Sequence, residues 1–470
     1  MDDQKNILKR NYGYPLFSSI KITPFETSTE EGRSKERYRR IVLTTVTSFF
    51  SRAVLVGCAL VSVRLSLNYL GAERYGLWMT ISSVIALLGF ADFGMGNGLL
   101  NAISEANGRD DTGKAVRAVS SAFYMLVGIS ILIAVLFMAV YPIIPWKRVF
   151  NVESPLAVSE AGPTMAVFFS CFLINLPLGI VQRIQMGYQE GARNNLWLIL
   201  GSLLGLAGLL LAIEAKAGLI WLVFAMTGGP VIATVVNGLH LFGWKRRWLL
   251  PLWSKVSGNE SRMIFRMGVL FFILQLSYSL AFASDNLVAA QVLGPVAVSK
   301  YSVVQRMFSV ASLLVGIVLV PLWPAYGEAI AKGDIQWVRK AFIQSMLLSL
   351  IVVGILSVVF VGFGPQIIRL WIGSGILPSF SLLVGFAVWT ILFAAGNVAG
   401  SFLNAASALK FQVSAAVMTC IFSVILKIFL AKTIGLPGIV WGTVAGYTLF
   451  SAIPMLYYVP RLFNEKLKIT

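Results

Sequence analysis

Six ionisable side chains stand inside stretches that are otherwise long and apolar: Arg52, Arg64, Asp92, Asp285, Arg306 and Lys427. A charge in hydrocarbon is expensive, and it persists where it binds or pairs with something. Arginine presents a planar fork of donors matched to phosphate oxygens and stays protonated at any relevant pH. Arg52 lies about 12 residues, or about 18 Å, into the first apolar block, near mid-bilayer and too deep to snorkel. It reads as a ligand for an anionic cargo, with a structural ion pair as the alternative. Arg64, on the same block but turned about 120° away by helical periodicity, is a further candidate ligand for that cargo that need not share a face with Arg52. Arg306, beside Gln305, is either a second anion ligand or a side chain reaching the interface. Lys427 stands about one turn from the end of its block and is expected to snorkel.

Asp92, Asp285 and Lys427 form a candidate gating or coupling set. Asp92 sits in the glycine-rich run Asp92-Phe93-Gly94-Met95-Gly96-Asn97-Gly98. It reads as a carboxylate bonded to a neighbouring helix where the glycines allow close approach, ahead of a proton- or cation-binding group. Asp285 and Arg64 occupy nearly equivalent depths in the two halves of the chain, which predicts an Arg64–Asp285 pair bridging them.

Other chemistry finds little support. Cys58, Cys171 and Cys420 fall in apolar runs without a CxxC pair, and His240 is the only histidine. Neither a metal site, a nucleophilic triad nor a cofactor is expected. No Gly-Lys-Ser/Thr phosphate loop occurs, and Gly94-x-Gly96-x-Gly98 lies in an apolar helix rather than between a strand and a helix. The expectation is a protein that is not an enzyme.

The elements that position these groups follow from composition. Of 470 residues, 57% are hydrophobic and 12% charged; soluble domains carry about 25% charged residues. Apolar residues arrive in blocks of about 20, the length of a membrane-crossing helix. About twelve such blocks follow one another, so the expected fold is all-α and polytopic. A polar tail covers residues 1–40 and reads as largely disordered, its basic end touching anionic headgroups. Six blocks fill 41–242, a basic linker spans 243–266, six more fill 267–460, and a short tail follows at 461–470. Lys and Arg collect in alternate loops, which places both termini in the cytoplasm. That pattern also explains the net charge of +18 without nucleic acid.

The two sets of six repeat at an offset of about 223 residues, matching Leu70-Gly71 to Leu293-Gly294 and Ala102, Glu105, Ala106 and Asp111 to Ala325, Glu328, Ala329 and Asp334. An even number of spans per half makes them parallel repeats, with a site between two lobes. The matching loops, with Arg109, Arg117, Lys332 and Arg339, read as helix caps and ion pairs that help close an inner gate.

Several stretches resemble the polysaccharide transporter family of the multidrug/oligosaccharidyl-lipid/polysaccharide exporter superfamily. These are Ala91-Asp92-Phe93-Gly94-Met95-Gly96-Asn97-Gly98, Asp285-Asn286-Leu287-Val288-Ala289-Ala290 with Leu293-Gly294-Pro295 and Tyr301, and Pro324-Ala325-Tyr326-Gly327-Glu328-Ala329. The resemblance implies a two-lobed bundle around a V-shaped cavity, in the inner membrane of a bacterium. It implies a flippase that carries undecaprenyl-diphosphate-linked oligosaccharide from the cytoplasmic to the outer leaflet for O-antigen or exopolysaccharide synthesis. Membrane lipids, a coupling proton or sodium ion and polysaccharide polymerase components are the further partners it suggests. A glycan and a diphosphate do not enter hydrocarbon, whereas a polyprenyl chain has no reason to leave it. Fixed positive charge in a cleft open to lipid answers both needs. The competing readings are a cation-coupled multidrug exporter, which calls for acidic rather than basic groups, and a non-transporting scaffold of a glycan-assembly complex. Tyr278, Trp221, Trp389 and Asn397 are either sugar contacts or packing.

Overall fold

The computed structural model describes residues 23–87, 90–150, 152–372 and 378–466. Residues 1–22 of the polar tail and 467–470 of the final tail lie outside the described residues. Fifteen α-helices make up nearly all of it: α1 (Glu30–Leu87), α2 (Met95–Gly108), α3 (Thr112–Val140), α4 (Trp146–Phe150), α5 (Pro155–Leu178), α6 (Ile180–Gly187), α7 (Gly191–Glu214), α8 (Leu219–His240), α9 (Gly258–Leu293), α10 (Pro295–Ala331), α11 (Ile335–Ile372), α12 (Phe380–Ala405), α13 (Leu409–Ile434), α14 (Pro437–Tyr447) and α15 (Ile453–Arg461).

Eleven helical stretches are long and apolar enough to cross a bilayer unbroken. The second crossing is the broken one. It starts in the last part of α1, beyond a kink at Gly71, and resumes in α2. The count of about twelve is reached with that interrupted span, and the chain is an all-α, multi-pass membrane protein.

The repeat is visible in the backbone. Gly71 (φ 75) matches Gly294 (φ 87), and Asp110 (φ 53) matches Gly333 (φ 74), both at the offset already read in the sequence. Each loop then ends in the same cap: the Lys114 N–H donates to Asp111 at 2.8 Å, and the Trp337 N–H donates to Asp334 at 3.2 Å. Glu105–Arg109 (3.2 Å) and Glu328–Lys332 (2.8 Å) are matching ion pairs one turn apart.

Residues 30–40, expected as tail, are helical and continuous with the first crossing. Polar composition suggested disorder. The segment instead finds partners on the second half of the chain, described below.

Helix contacts in the bundle depend on small residues, because lipid supplies no hydrophobic force between helices. Gly438, Gly442 and Gly446 recur every fourth position on α14 and its approach, and a methyl on each would land on the α13 backbone or on Ser423. At Gly442 a Cβ would fall 2.6 Å from the Lys427 backbone nitrogen. This contact fixes the height and rotation of Lys427. Gly442→Ala should therefore lower the melting temperature of the purified protein by several degrees, the effect of about 1–3 kcal/mol of overpacking. Gly354→Ala, where a Cβ meets nothing within 4 Å, should leave it unchanged or raise it. A thermal-shift comparison of the two variants checks the contact.

Candidate functional site

The two halves of the chain join at the end of the bundle where α1 begins, called here the near end. Arg37 is the centre of that seam. It donates through Nε to Glu328 at 3.3 Å and through Nη1 to Asp334 at 2.5 Å. Its guanidinium lies 5.0 Å from the centroid of the Trp337 ring, and all three groups are largely buried. Gln189, from the loop after α6, donates to the same Glu328 carboxylate at 2.5 Å. Tyr38 donates to Gln344 at 2.9 Å. Glu36, ahead of the apolar run, binds Arg39 and Arg40 rather than the far lobe. Burial pushes its carboxyl up, but hydrogen bonds from Arg39, the Phe25 N–H and Arg40 outweigh that and hold it at about 2.

Deeper in, Asn101 of α2 uses both ends of its amide across the seam. It donates to the Asn404 carbonyl at 2.8 Å and accepts from the Trp323 indole at 2.7 Å. Gly94 (φ 70) packs on α9 so closely that a Cβ would fall 2.4 Å from the Gly268 carbonyl oxygen. Toward the far end the halves separate. One core cluster there, around Trp78, Phe169 and Leu222, draws only on the first half. Another, around Tyr301, Phe308 and Phe386, draws only on the second. The result is a bundle closed at one end and cleft at the other.

The six sequence candidates fall into three groups. Helical periodicity sets Arg52 and Arg306 on the faces of α1 and α10 that meet at the seam further along. Ile41 of α1 is buried in the second half's core, and Arg52 lies three turns further along, about 20° round the helix. Pro324 of α10 lines the seam with Arg40, Ile41 and Thr44, and Arg306 lies five turns away on the same face. Both arginines are exposed, and neither has a carboxylate within ion-pair distance among the described residues. The structural ion pair weighed for Arg52 is not formed among the described residues.

Asp285 and Lys427 meet each other, which corrects two expectations. The Lys427 ammonium sits 2.5 Å from Asp285 Oδ1, fully buried, and also donates to the Ala281 carbonyl. It does not snorkel, because α14 packs against its backbone and α9 presents acceptors to its tip. Asp285 Oδ2 accepts from the Tyr301 hydroxyl at 2.8 Å. Arg64 is therefore not the partner of Asp285: its side chain is exposed, about 140° round α1 from Ile41.

Asp92 is the cap of the broken span. Its carboxylate accepts from the Gly94 N–H at 2.9 Å and the Gly96 N–H at 3.3 Å, at the start of α2. That satisfies N–H groups which hydrocarbon cannot.

Two residues of the candidate site escaped the sequence. Arg37 was assigned to the tail; the i, i+4 spacing of Glu36 and Arg40, leading into the apolar run, was the available sign of a helix. Arg183 of α6 lies against the α2 start, where a Cβ on Gly96 would fall 2.9 Å from its Nε. It is half-buried, and the same Cβ would fall 3.0 Å from Asp92 Oδ2, so the two charges stand close together. Its neighbours Gln182 and Gln185, polar in an apolar block, were the available signal. Phe93 (φ 47) and Phe272, with ring centroids 5.5 Å apart, floor the cleft beside it. Of the candidate sugar contacts, Trp389 packs between Phe282 (4.9 Å) and Tyr447 (5.3 Å), Tyr278 stacks on Phe282, and Trp221 is exposed.

A family model described as polysaccharide biosynthesis protein matches residues 42–330. The chain is 24% identical over 429 residues to a protein of Salmonella typhimurium strain LT2 named as an O-antigen transporter, covering 88% of this chain and 95% of that one. A Salmonella typhi protein of the same name is 24% identical over 444 residues, covering 90% and 96%. A crystal structure of a MATE protein in its bent conformation shares the fold at a TM-score of 0.79 and 16% identity, covering 94% of this chain and all of that one.

Two outcomes follow from the geometry. Lys427→Met strands the buried Asp285 carboxylate and should cost about 3–5 kcal/mol of stability, while adding Asp285→Asn should recover most of it. Thermal unfolding of the single and double variants, read as a double-mutant cycle, measures the coupling. At the seam, Ser104 is buried against Gly327. A cysteine placed there in a cysteine-free background should react slowly with a maleimide. Arg37→Ala should speed that reaction on the order of tenfold or more, the effect of about 1.4 kcal/mol of lost closure.

Proposed function

The chain belongs to the polysaccharide biosynthesis protein family, and we propose that it is a flippase for a lipid-linked oligosaccharide, carrying the undecaprenyl-diphosphate-linked glycan from the cytoplasmic to the outer leaflet of a bacterial inner membrane. The observation that carries this reading is the pair Arg52 and Arg306. Each stands on one wall of a cleft between two lobes, without a carboxylate partner among the described residues. A diphosphate crossing a bilayer needs donors fixed where water is scarce, and two guanidinium forks supply them. Arg183, beside the α2 start at the cleft floor, is a third donor for the same anion.

The near end is assigned to the cytoplasm, because the basic loops lie on that side. The arrangement is then outward-open, with the cytoplasmic side held by Arg37, Glu328, Asp334 and Asn101. Alternating access requires those contacts to break and the far ends of the lobes to meet. The cargo's polyprenyl chain stays in lipid, which the gap between the lobes allows.

The opposite sign of cargo is disfavoured. A cationic drug calls for free carboxylates, yet Asp92 is committed to the α2 backbone and Asp285 to Lys427 and Tyr301.

Arg52→Ala and Arg306→Ala should each reduce glycan export at least about tenfold at unchanged protein level. The corresponding lysine variants should recover part, since an ammonium cannot offer the planar fork. Arg64→Ala should retain most of the activity. Surface glycan quantified in cells that depend on the variant gives the readout. Full export by Arg52→Ala and Arg306→Ala would remove both residues from the site and the reading with them.

A further inference from the structure

The segment between the halves was expected as a basic linker, and it is a folded strap. Leu241 and Leu249 are fully buried in the first half. Lys245 and Arg246 pair with Glu190, the latter at 3.0 Å, and the Arg246 guanidinium lies 3.8 Å from the Tyr188 ring centroid. The Leu252 N–H donates to Ser120 at 3.2 Å and the Ser257 N–H to Ser121 at 3.1 Å. Side chains pointing away from the lobe are therefore held in place.

What the strap leaves outside is unusual for a water-facing loop. Trp244 is 74% exposed, Trp253 72% and Trp248 44%, with Leu250 and Leu252 beside them. Arg247 and Lys255 are exposed among them, and no acidic residue occurs from Leu241 to Asn259. The strap joins the end of one crossing to the start of the next, so it lies at the level of the headgroups. Tryptophan and basic residues interleaved at that level match the membrane interface, where rings sit among headgroups and cations meet lipid phosphates.

Between the strap and the first turns of α3 lies a groove of about 530 Å³. One wall carries Thr112 and Arg117, the other Trp248, Ser254 and Lys255. The lining thus contains two cations, hydroxyl donors and an aromatic wall, and no carboxylate. Neither cation has an ion-pair partner among the described residues. The nearby Asp111 already accepts the Lys114 N–H, and the Lys114 ammonium pairs with Glu105 at 2.8 Å.

We propose that this groove binds the headgroup of an anionic phospholipid, its phosphate between Arg117 and Lys255 and its glycerol end against Trp248. The volume suits a phosphoglycerol headgroup rather than a bare phosphate. The exposed tryptophans place the groove mouth where acyl chains can remain in the bilayer. This site lies on the strap, apart from the cleft, and it does not depend on the cargo assigned to Arg52 and Arg306.

The test uses the full chain in detergent, with phosphatidylglycerol and phosphatidylcholine as probes. Native mass spectrometry of the wild type should retain phosphatidylglycerol over phosphatidylcholine, and phosphatidylglycerol should raise the melting temperature. Arg117→Gln with Lys255→Gln should weaken phosphatidylglycerol retention on the order of tenfold or more. Both residues are exposed, so the variant's own melting temperature without lipid serves as the folding control, and Arg339→Gln with Lys340→Gln controls for general loss of charge. Equal retention by the groove variant and the wild type overturns the proposal. So does an equal loss in the control variant, or an equal thermal shift with inorganic phosphate, which would make the groove a site for free anions.

Discussion

Hydrocarbon offers no partner to a polar group, so every charge and every unpaired backbone amide in the bundle has to be answered from within the protein. The architecture follows from how each demand is met. A broken span frees the first N–H groups of α2, and Asp92 takes two of them. A lysine buried between α9 and α13 finds Asp285, the Ala281 carbonyl and, through the carboxylate, Tyr301. Gly442 makes that possible by bringing α14 onto the lysine's own backbone. Set against these satisfied groups, Arg52 and Arg306 stand out. In the proposed flippase, a cleft would let these two cations remain solvated without internal partners and free to meet a cargo.

Internal repetition gives the molecule two versions of each part, and the differences between them locate function. The loops after α2 and α10 share a left-handed residue, an acidic cap and a Glu–basic pair one turn back. Among the described residues, only one of them receives a partner from the opposite half: Arg37 reaches Glu328 and Asp334. The repeat offset carries Arg37 onto Glu260 at the start of α9, a carboxylate, which cannot pair with acidic groups as the Arg37 guanidinium does. Glu105 turns to its own neighbours Arg109 and Lys114 instead. The seam is thus fastened on one side of its pseudo-twofold axis. A buried arginine between two carboxylates is stable while the seam is dry, and admitting water weakens its attractions. Such a contact favours two discrete positions of the lobes over a continuum, as a rocking bundle requires.

Much of this was legible in the sequence. Block length and charge scarcity dictated a helical membrane bundle, because only a helix satisfies its own backbone in lipid. The repeat offset matched Gly71 to Gly294, and both carry a positive φ. Most intramembrane charges could be named directly, since they are conspicuous against their apolar surroundings; Arg183, set between Gln182 and Gln185, was missed. The folded character of the N-terminal segment was not legible, since polar composition describes a solvated tail and a buried ionic seam equally well. Arg37 became structural through Glu328 and Asp334, nearly three hundred positions away.

Helical periodicity sets the face of a residue on its own helix, but the helix that stands opposite is decided by packing. From the sequence, Arg64 was the partner expected for Asp285. The small-residue stripe on α14 and the rotation of α13 chose Lys427, and they turned a lysine expected to reach the interface into a buried counter-charge. The sequence by itself determined which residues would be charged in the membrane and that they must be accounted for. Only the tertiary structure decided which of them cancel and which remain open, because electrostatic pairing depends on distances of a few ångströms between helices that are far apart in the chain.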